Sequence, residues 1–140
     1  MNKKRTYIVL RLSMGFIFLW AFLDKTFGLG FATTPEKSWL AGGSPTTGFL
    51  TFGTKGPFAE IFQSLAGIQL VDWLFMIGLL FAGLTLIVNR FVKWGAIAGS
   101  VMLLLMYLAL LLPENNPIID DHLIYILVLG LIAIDSKETA

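Results

Sequence analysis

Cysteine is absent from the 140-residue chain, and histidine occurs only once. The lack of cysteine excludes disulfides, thiolate metal sites, iron–sulfur clusters and thiol redox catalysis by this chain. Charge is also scarce, since 14% of the residues are charged whereas 56% are hydrophobic. A soluble domain of this size carries about 25% charged residues. The composition therefore argues against an ordinary soluble domain and indicates a membrane protein.

Long apolar blocks with almost no charge divide the chain. They span Thr6 to Leu23, Ile68 to Val88, Trp94 to Leu112 and Leu123 to Ile134. A helix needs about 20 residues to cross a hydrocarbon layer about 30 Å thick, and the fourth block reaches that length only if residues 117–122 are included. The blocks predict an all-α, integral membrane four-helix bundle in a single domain, 1–140. Its helices are expected at about 5–27, 69–89, 93–112 and 118–135.

The positive charges predict the orientation of these helices, because cytoplasmic loops carry an excess of Lys and Arg. One set of helix ends holds Lys3, Lys4, Arg5, Arg11, Arg90, Lys93 and Lys137, whereas the other holds Lys25, Lys37 and Lys55. Both termini are therefore expected to be cytoplasmic. Arg11 is expected to extend its side chain to the interface, and its interruption of the first apolar block predicts a retained helix rather than a cleaved signal peptide. The opposite, extracytoplasmic face is acidic, which argues against a nucleic-acid partner.

Residues 28–67 form the one long connection, which is expected to be extracytoplasmic and is too apolar for a plain linker. Ser44-Pro45 and Gly56-Pro57 are typical starts of short helices. An apolar stripe at helical spacing follows and consists of Phe58, Ile61, Phe62 and Leu65. The stripe predicts a short amphipathic helix that either lies flat among the headgroups or covers the bundle mouth as a lid.

The segment NNPIIDDHLIY, residues 115–125, carries the strongest candidate chemistry. Asp120 and Asp121 are well placed to cap a new helix, with His122 in its first turn and Tyr125 one turn further. Histidine is a common general acid near neutral pH. The alternative interpretation is purely structural, with two capping acids and an interfacial polar histidine.

Other polar residues are expected at the same end of the bundle. Asp24 closes the first helix beside Lys25, either as an interfacial anchor or with its carboxylate facing inward, where a charge costs about 2.5 to 3.5 kcal/mol. Asp72 begins the second helix, where the helix dipole by itself favours an acid by about 0.3 to 1 kcal/mol. The candidate catalytic residues are His122, Asp121 and Asp24. The candidate cofactor-binding residues are Trp20, Lys25, Asp72, Trp73, Tyr107 and Tyr125.

A GxxxG pair, Gly95 and Gly99, lies in the third helix. Small residues at this spacing let helices approach closely. The pair predicts either tight packing within the bundle or a seam between two copies of the chain, so a homo-oligomer is a possible assembly.

Five segments resemble the DoxX-like membrane proteins. They are RLSMGFIFLWAFLDKTFGLGF from Arg11, GGSPTTGFL from Gly42, GPFAEIF from Gly56, VDWLFMIGLL from Val71 and NNPIIDDHLIY from Asn115. This family includes DoxD, the membrane subunit of archaeal thiosulfate:quinone oxidoreductase, and proteins linked to oxidative-stress assemblies. The resemblance implies a multi-pass protein of the cytoplasmic membrane of a bacterium or archaeon that passes electrons from thiosulfate or a related sulfur compound to quinone.

Under this expectation quinone is the cofactor and reaches the outer mouth from the lipid bilayer. Reduction of quinone takes up two protons, so His122 is the expected proton donor. Asp121 or Asp24 is expected to orient its ring or to reprotonate it. Because the chain has no visible centre that oxidises sulfur, a second subunit or a soluble redox partner is expected. The alternative is a non-catalytic membrane protein that recruits or stabilises soluble redox and oxidative-stress enzymes. A solute carrier is disfavoured because the helix centres are nearly free of polar residues.

Overall fold

The computed structural model describes residues 1–136, so Lys137 lies outside the described residues. Within them the regular elements are all helical, as the composition predicts. The α-helices are α1 (Lys3–Phe27), α2 (Ala59–Gln63), α3 (Gln69–Val88), α4 (Val92–Ala109) and α5 (Asp121–Asp135). A 3₁₀ turn, Pro35–Lys37, and a π turn, Phe49–Gly53, lie between α1 and α2. The predicted all-α class is confirmed.

Three helices, α1, α3 and α4, are long and apolar enough to cross a membrane. They contain 25, 20 and 18 residues, which at 1.5 Å per residue corresponds to roughly 27 to 38 Å. The 15 residues of α5 extend only about 22 Å, which is less than a hydrocarbon layer of about 30 Å. The three long helices indicate a protein of the lipid bilayer.

The start of α5 is set by two side chains that bind nearby backbone groups. Asn116 Oδ1 accepts hydrogen bonds from the N–H groups of Ile118 and Ile119, at 2.9 and 2.7 Å, and so forms a turn where the sequence predicted the first residues of a helix. Asp120 has an extended backbone and accepts the N–H of Leu123 at 3.2 Å. The helix therefore begins directly after this N-cap, later than the predicted start at 118.

The four longer helices form a closed antiparallel ring. α1 packs against α3, α3 against α4, α4 against α5, and α5 makes a smaller contact with α1. The starts of α1 and α3 lie at opposite ends of the ring, and an ion pair of 3.2 Å joins Lys3 to Asp135. We call the end that holds Lys3 and Asp135 the termini end, and the opposite end the connection end. The buried core consists of Met14, Phe18, Met76, Leu79, Ala82, Leu86, Val92, Ala96, Leu103, Leu129 and Ile132.

The GxxxG pair packs inside the ring. A Cβ atom on Gly95 would lie 1.8 Å from Thr85 Oγ1, and one on Gly99 would lie 2.8 Å from Phe18 Cζ. Distances this short leave no room for a larger side chain. Both glycines therefore support close packing between helices of the same chain, the first of the two interpretations of the GxxxG pair.

The side chain of Arg11 does not lie where the sequence predicts. Instead of extending to the interface it is only 7% exposed, and its Nη1 donates to the carbonyl oxygens of Leu86 and Ile87. The last carbonyls of a helix have no partner within the helix. The end of α3 therefore attracts the guanidinium inward, which a sequence pattern along α1 alone cannot reveal.

Residues 28–68 lie across the connection end and contact several helices. The N–H of Trp39 donates to Lys25 O in α1 at 2.8 Å, and the N–H of Lys55 donates to Ala109 O in α4 at 2.9 Å. The second bond satisfies a terminal carbonyl of α4, which ends there rather than at the predicted position 112. Helix α2 rests on the π turn, with Phe58 and Ile61 still 39% and 61% exposed.

Candidate functional site

Asp24, a predicted catalytic residue, is only 2% exposed and binds the start of the long connection. Its carboxylate accepts backbone N–H groups from Phe31 at 3.2 Å, Ala32 at 2.7 Å and Thr33 at 3.1 Å. A buried carboxylate with several charge-assisted hydrogen bonds is well stabilised. The geometry therefore gives Asp24 the task of holding this loop against the end of α1.

Asp72 performs the same task for the middle of the connection. Its Oδ1 accepts the hydroxyl groups of Ser44 at 2.7 Å and Thr46 at 2.5 Å. Ser44 Oγ also accepts the N–H of Thr47 at 3.1 Å, so the predicted Ser44-Pro45 helix start does cap the following turn. Asp72 thus joins the start of α3 to the connection, in addition to its favourable place in the helix dipole.

The predicted aromatic and cationic binding residues also contact the connection or a neighbouring helix. Trp20 meets Phe31 edge-to-face with ring centroids 5.1 Å apart, and Trp73 meets Trp39 in the same way at 4.7 Å. The ammonium of Lys25 lies 5.8 Å from the ring centroid of Phe75, at the range of a cation–π contact. Each of these side chains therefore packs against an aromatic ring of the same chain.

His122 is paired with Asp120. Its Nδ1 lies 2.8 Å from Asp120 Oδ2, and both side chains are 20% exposed. Burial raises the pKa of the Asp120 carboxyl, but the hydrogen bonds from His122 and from the Leu123 N–H outweigh burial, so the pKa lies below its usual value of 3.8. Asp120 is therefore ionised at neutral pH and accepts Nδ1–H. This leaves Nε2 as the ring nitrogen available to a ligand.

A cleft of about 540 Å³ lies beside this pair. Its polar lining residues are Lys55, Glu114, Asn115, Asn116, Asp120, Asp121 and His122, and its apolar ones include Leu110, Ile119 and Ile124. An exposed ion pair of 3.2 Å joins Lys55 to Glu114 at this cleft. The volume suits a small organic ligand, and the lining offers charge of both signs beside an apolar wall.

The two predicted tyrosines lie close to the α4–α5 junction. Tyr107 donates its hydroxyl to Ile118 O at 2.5 Å and so holds the turn before α5. Tyr125 is partly buried and packs against the core. Neither tyrosine lines the cleft beside His122.

The predicted site residues thus occupy the connection end but do not form one cluster. His122 and Asp121 line the same cleft, whereas Asp24 and Asp72 bind different parts of the connection. The carboxylate that contacts His122 is Asp120, which the sequence pattern had assigned only to helix capping. A signal was present, because an N-cap side chain turns back over the first helical turn, where His122 stands. Within residues 1–136, acidic and histidine side chains form no group that could hold a metal ion.

Comparisons of the chain with protein-family models, with curated proteins and with solved structures found no match. No matched protein therefore assigns a function to this chain.

Proposed function

We propose that the protein is the membrane subunit of a quinone-linked oxidoreductase, and that the cleft beside His122 is where a quinone head group receives a proton. The observation that carries this proposal is the His122–Asp120 pair of 2.8 Å at a cleft of about 540 Å³. The hydrogen bond to Asp120 fixes the ring through Nδ1, so that Nε2 can meet a ligand oxygen. The resemblance to DoxX-like proteins supplies the class of reaction.

The proposed chemistry needs two electrons and two protons for each quinone reduced to quinol. The two electrons come from two thiosulfate ions, which couple to tetrathionate, or from a related sulfur compound. They pass directly within a ternary complex or through a second subunit, because the chain contains no cysteine that could accept them. The imidazolium form of His122 donates one proton from Nε2 and is recharged from water in the open cleft. Water supplies the second proton.

In this proposal Asp120 and Asp121 act beside His122, whereas Asp24 acts only on structure. Asp120 orients the ring, and Asp121 is an exposed acid on the cleft wall that can exchange protons with water. Asp24 already binds three backbone N–H groups and does not line the cleft, so the proposal gives it a structural role.

The proposal also includes four membrane crossings with both termini in the cytoplasm of a bacterium or archaeon. α5 is the fourth crossing, and local thinning of the bilayer accommodates its 15 residues with Asp120 at the water boundary. The basic residues Lys3, Lys4 and Arg5 at the termini end support this orientation. The chain has no cysteine, so the single variants Glu36→Cys and Ser136→Cys can test this orientation with a thiol reagent that does not cross the membrane. In intact cells the reagent should label Glu36→Cys but not Ser136→Cys.

The function itself is tested by thiosulfate-dependent reduction of a short-chain quinone by the purified protein in detergent. We expect His122→Gln to lower the turnover number roughly 100-fold, the usual scale of one general acid. Glu114→Gln is the matched control, because it removes an exposed charge at the same cleft without touching the ring. Full activity in His122→Gln would refute the proton-donor role. If the folded protein remains inactive after membrane extract is added, the enzyme proposal itself fails.

A second function is favoured by apolar side chains on the connection. Phe31, Leu40 and Phe52 are 75%, 71% and 87% exposed. A surface of this kind suits recruitment of a soluble redox or oxidative-stress enzyme. Loss of a copurifying enzyme in Phe52→Asp, with quinone reduction unchanged, would support recruitment as a separate activity of this face.

A further inference from the structure

A second cavity, of about 580 Å³, opens at the termini end of the bundle, away from the proposed quinone cleft. It is lined by Lys3, Lys4, Tyr7, Ile8, Arg11, Asn89 and Asp135. Three of these residues are cations and one is an acid. The lining comes from α1, from the residue that ends α3 and from the last residue of α5, so the cavity lies between three helices.

Arg11 is the deepest cation of this cavity and is incompletely satisfied. Its two hydrogen bonds, to Leu86 O and Ile87 O, are both made by Nη1. Its Nε is buried and has no hydrogen-bond partner. A buried donor on a charged group is costly to leave unpaired. The fold therefore places a guanidinium with one unpaired N–H among the residues that line the cavity.

Tyr7 also lines the cavity, and its side chain carries a second unpaired polar group. It lies four residues before Arg11, so the two side chains share one face of α1. The Tyr7 hydroxyl is also buried without a partner. Within residues 1–136, Tyr7 Oη and Arg11 Nε are the only buried side-chain polar atoms that lack a hydrogen bond. Both belong to residues that line this one cavity, which points to one binding site rather than to scattered packing defects.

The unpaired groups define the chemistry of that ligand. The Arg11 N–H is a donor that never deprotonates, and the Tyr7 hydroxyl can donate as well, so the ligand must offer acceptor oxygens. The nearby Lys4 favours a negative charge. Asp135 does not oppose it strongly, because its carboxylate is already paired with Lys3 at 3.2 Å. A phosphate group combines negative charge with several acceptor oxygens and matches the fork of a guanidinium.

We infer that the termini-end cavity binds the phosphate group of an anionic ligand, which is held by Arg11 and Tyr7 and attracted by Lys4. The group belongs either to the headgroup of an anionic lipid or to free phosphate, which offer the same oxygens. α1 is one of the helices long enough to cross a membrane, and its basic end lines the cavity. Basic pockets between membrane helices bind anionic headgroups in this way. The site is independent of quinone chemistry.

The test uses the full-length protein, stripped of lipid in an uncharged detergent, and follows its melting temperature. The probes are inorganic phosphate, a short-chain phosphatidylglycerol and, as the zwitterionic control, a short-chain phosphatidylcholine. We expect at least one of the two anionic probes to raise the melting temperature by roughly 5 °C at saturation. A rise with phosphatidylglycerol alone identifies a lipid headgroup, and a rise with inorganic phosphate shows that the phosphate group suffices. No rise with either probe overturns the inference.

Variants separate this site from general attraction of anions to a basic surface. Tyr7→Phe removes only the unpaired hydroxyl, so it should leave the melting temperature without anion undiminished while weakening the affinity for the effective probe roughly tenfold. Arg11→Lys keeps the charge but loses the fork, and it should weaken binding as well. Arg5→Gln is the matched control, since Arg5 is exposed and does not line the cavity. Equal weakening in Tyr7→Phe and Arg5→Gln, or unchanged affinity in Tyr7→Phe, would overturn the inference.

Discussion

The two ends of the helix ring differ in whether their buried polar groups have hydrogen-bond partners. At the connection end, Asp24 accepts three backbone N–H groups and Asp72 accepts two hydroxyls. At the termini end, Arg11 Nε and Tyr7 Oη are buried without any partner. A buried polar group with its full set of partners is explained by folding alone, whereas an unpaired one calls for a further explanation, which here is the proposed anion. Asp24, a catalytic candidate, and Asp72, a cofactor-binding candidate, therefore stabilise the fold, whereas Arg11, which was expected to extend to the interface, lines the proposed anion site.

Among these buried polar groups, the largest loss of stability on substitution is expected at Asp24. In Asp24→Ala three N–H groups of the connection lose their acceptor, so we expect the free energy of unfolding in detergent to fall by about 3 kcal/mol. Asp24→Asn is the control, because the amide retains one acceptor oxygen, and it should cost less. A loss below about 1 kcal/mol for the alanine variant would mean that water replaces the carboxylate without penalty.

The next largest effect is expected at Asp72. Asp72→Ala should lower the free energy of unfolding by about 2 kcal/mol, because Ser44 and Thr46 lose the acceptor of their hydroxyls. A double-mutant cycle with Thr46→Val isolates the contact. If the two substitutions are simply additive, the hydrogen bond of 2.5 Å contributes nothing and the connection is held by other contacts.

A smaller and pH-dependent effect is expected at Asp120. Asp120→Ala removes the N-cap of α5 and should cost about 1 kcal/mol at neutral pH. The folded-state pKa of Asp120 lies below its usual 3.8, so its charged form stabilises the fold above that pH. This stabilisation is lost as the pH falls below 3.8 and through the folded-state pKa.

Melting temperatures measured from pH 6 down to pH 2 check the direction of this effect. The difference between the natural protein and Asp120→Ala should shrink with acidification. Asp121→Asn serves as the control at the neighbouring exposed acid. A difference that grows at low pH would contradict the assignment of the charged form to the folded state.

The smallest effects compare one tyrosine from each end. Tyr107→Phe loses the hydrogen bond to Ile118 O and should lower the free energy of unfolding by about 0.5 kcal/mol. In the absence of anion, Tyr7→Phe should raise it by about 0.5 kcal/mol, because an unpaired hydroxyl is no longer buried. The two substitutions remove the same atom, so opposite signs would be direct evidence that the two ends differ. Equal losses would mean that the Tyr7 hydroxyl has a partner in the free protein.

Parts of the fold were predictable because they depend on local chemistry. Apolar blocks of helix length predicted α1, α3 and α4, and the predicted ends of these helices agree with the structure to within a few residues. Asp120 was correctly identified as a cap, since capping needs only the residue and the turn that follows. The start of α5 was less predictable, because Asn116 binds two backbone N–H groups and forms a turn in a segment that also reads as the beginning of a helix.

Partners far apart in the chain were not predictable in the same way. An inward-facing carboxylate was one of two interpretations of Asp24, and nothing local reveals that residues 31–33 fold back onto it. The contact between Arg11 and the end of α3 spans 75 residues along the chain. Hydropathy predicted that a charge in α1 would move toward water, yet the free carbonyls of α3 offered a stronger alternative inside the protein.

The order of residues alone therefore determined the helical class, the membrane environment and the absence of thiol chemistry, because these follow from composition and from apolar blocks long enough to cross a bilayer. The tertiary structure decided which buried polar groups have hydrogen-bond partners and which do not. Hydrogen bonds between distant segments satisfy Asp24 and Asp72, whereas the same packing buries Arg11 Nε and the Tyr7 hydroxyl beside a cavity with no partner. The physical reason is that the cost of a buried polar group depends on where its partners lie in space, and only the folded chain brings distant groups together or keeps them apart.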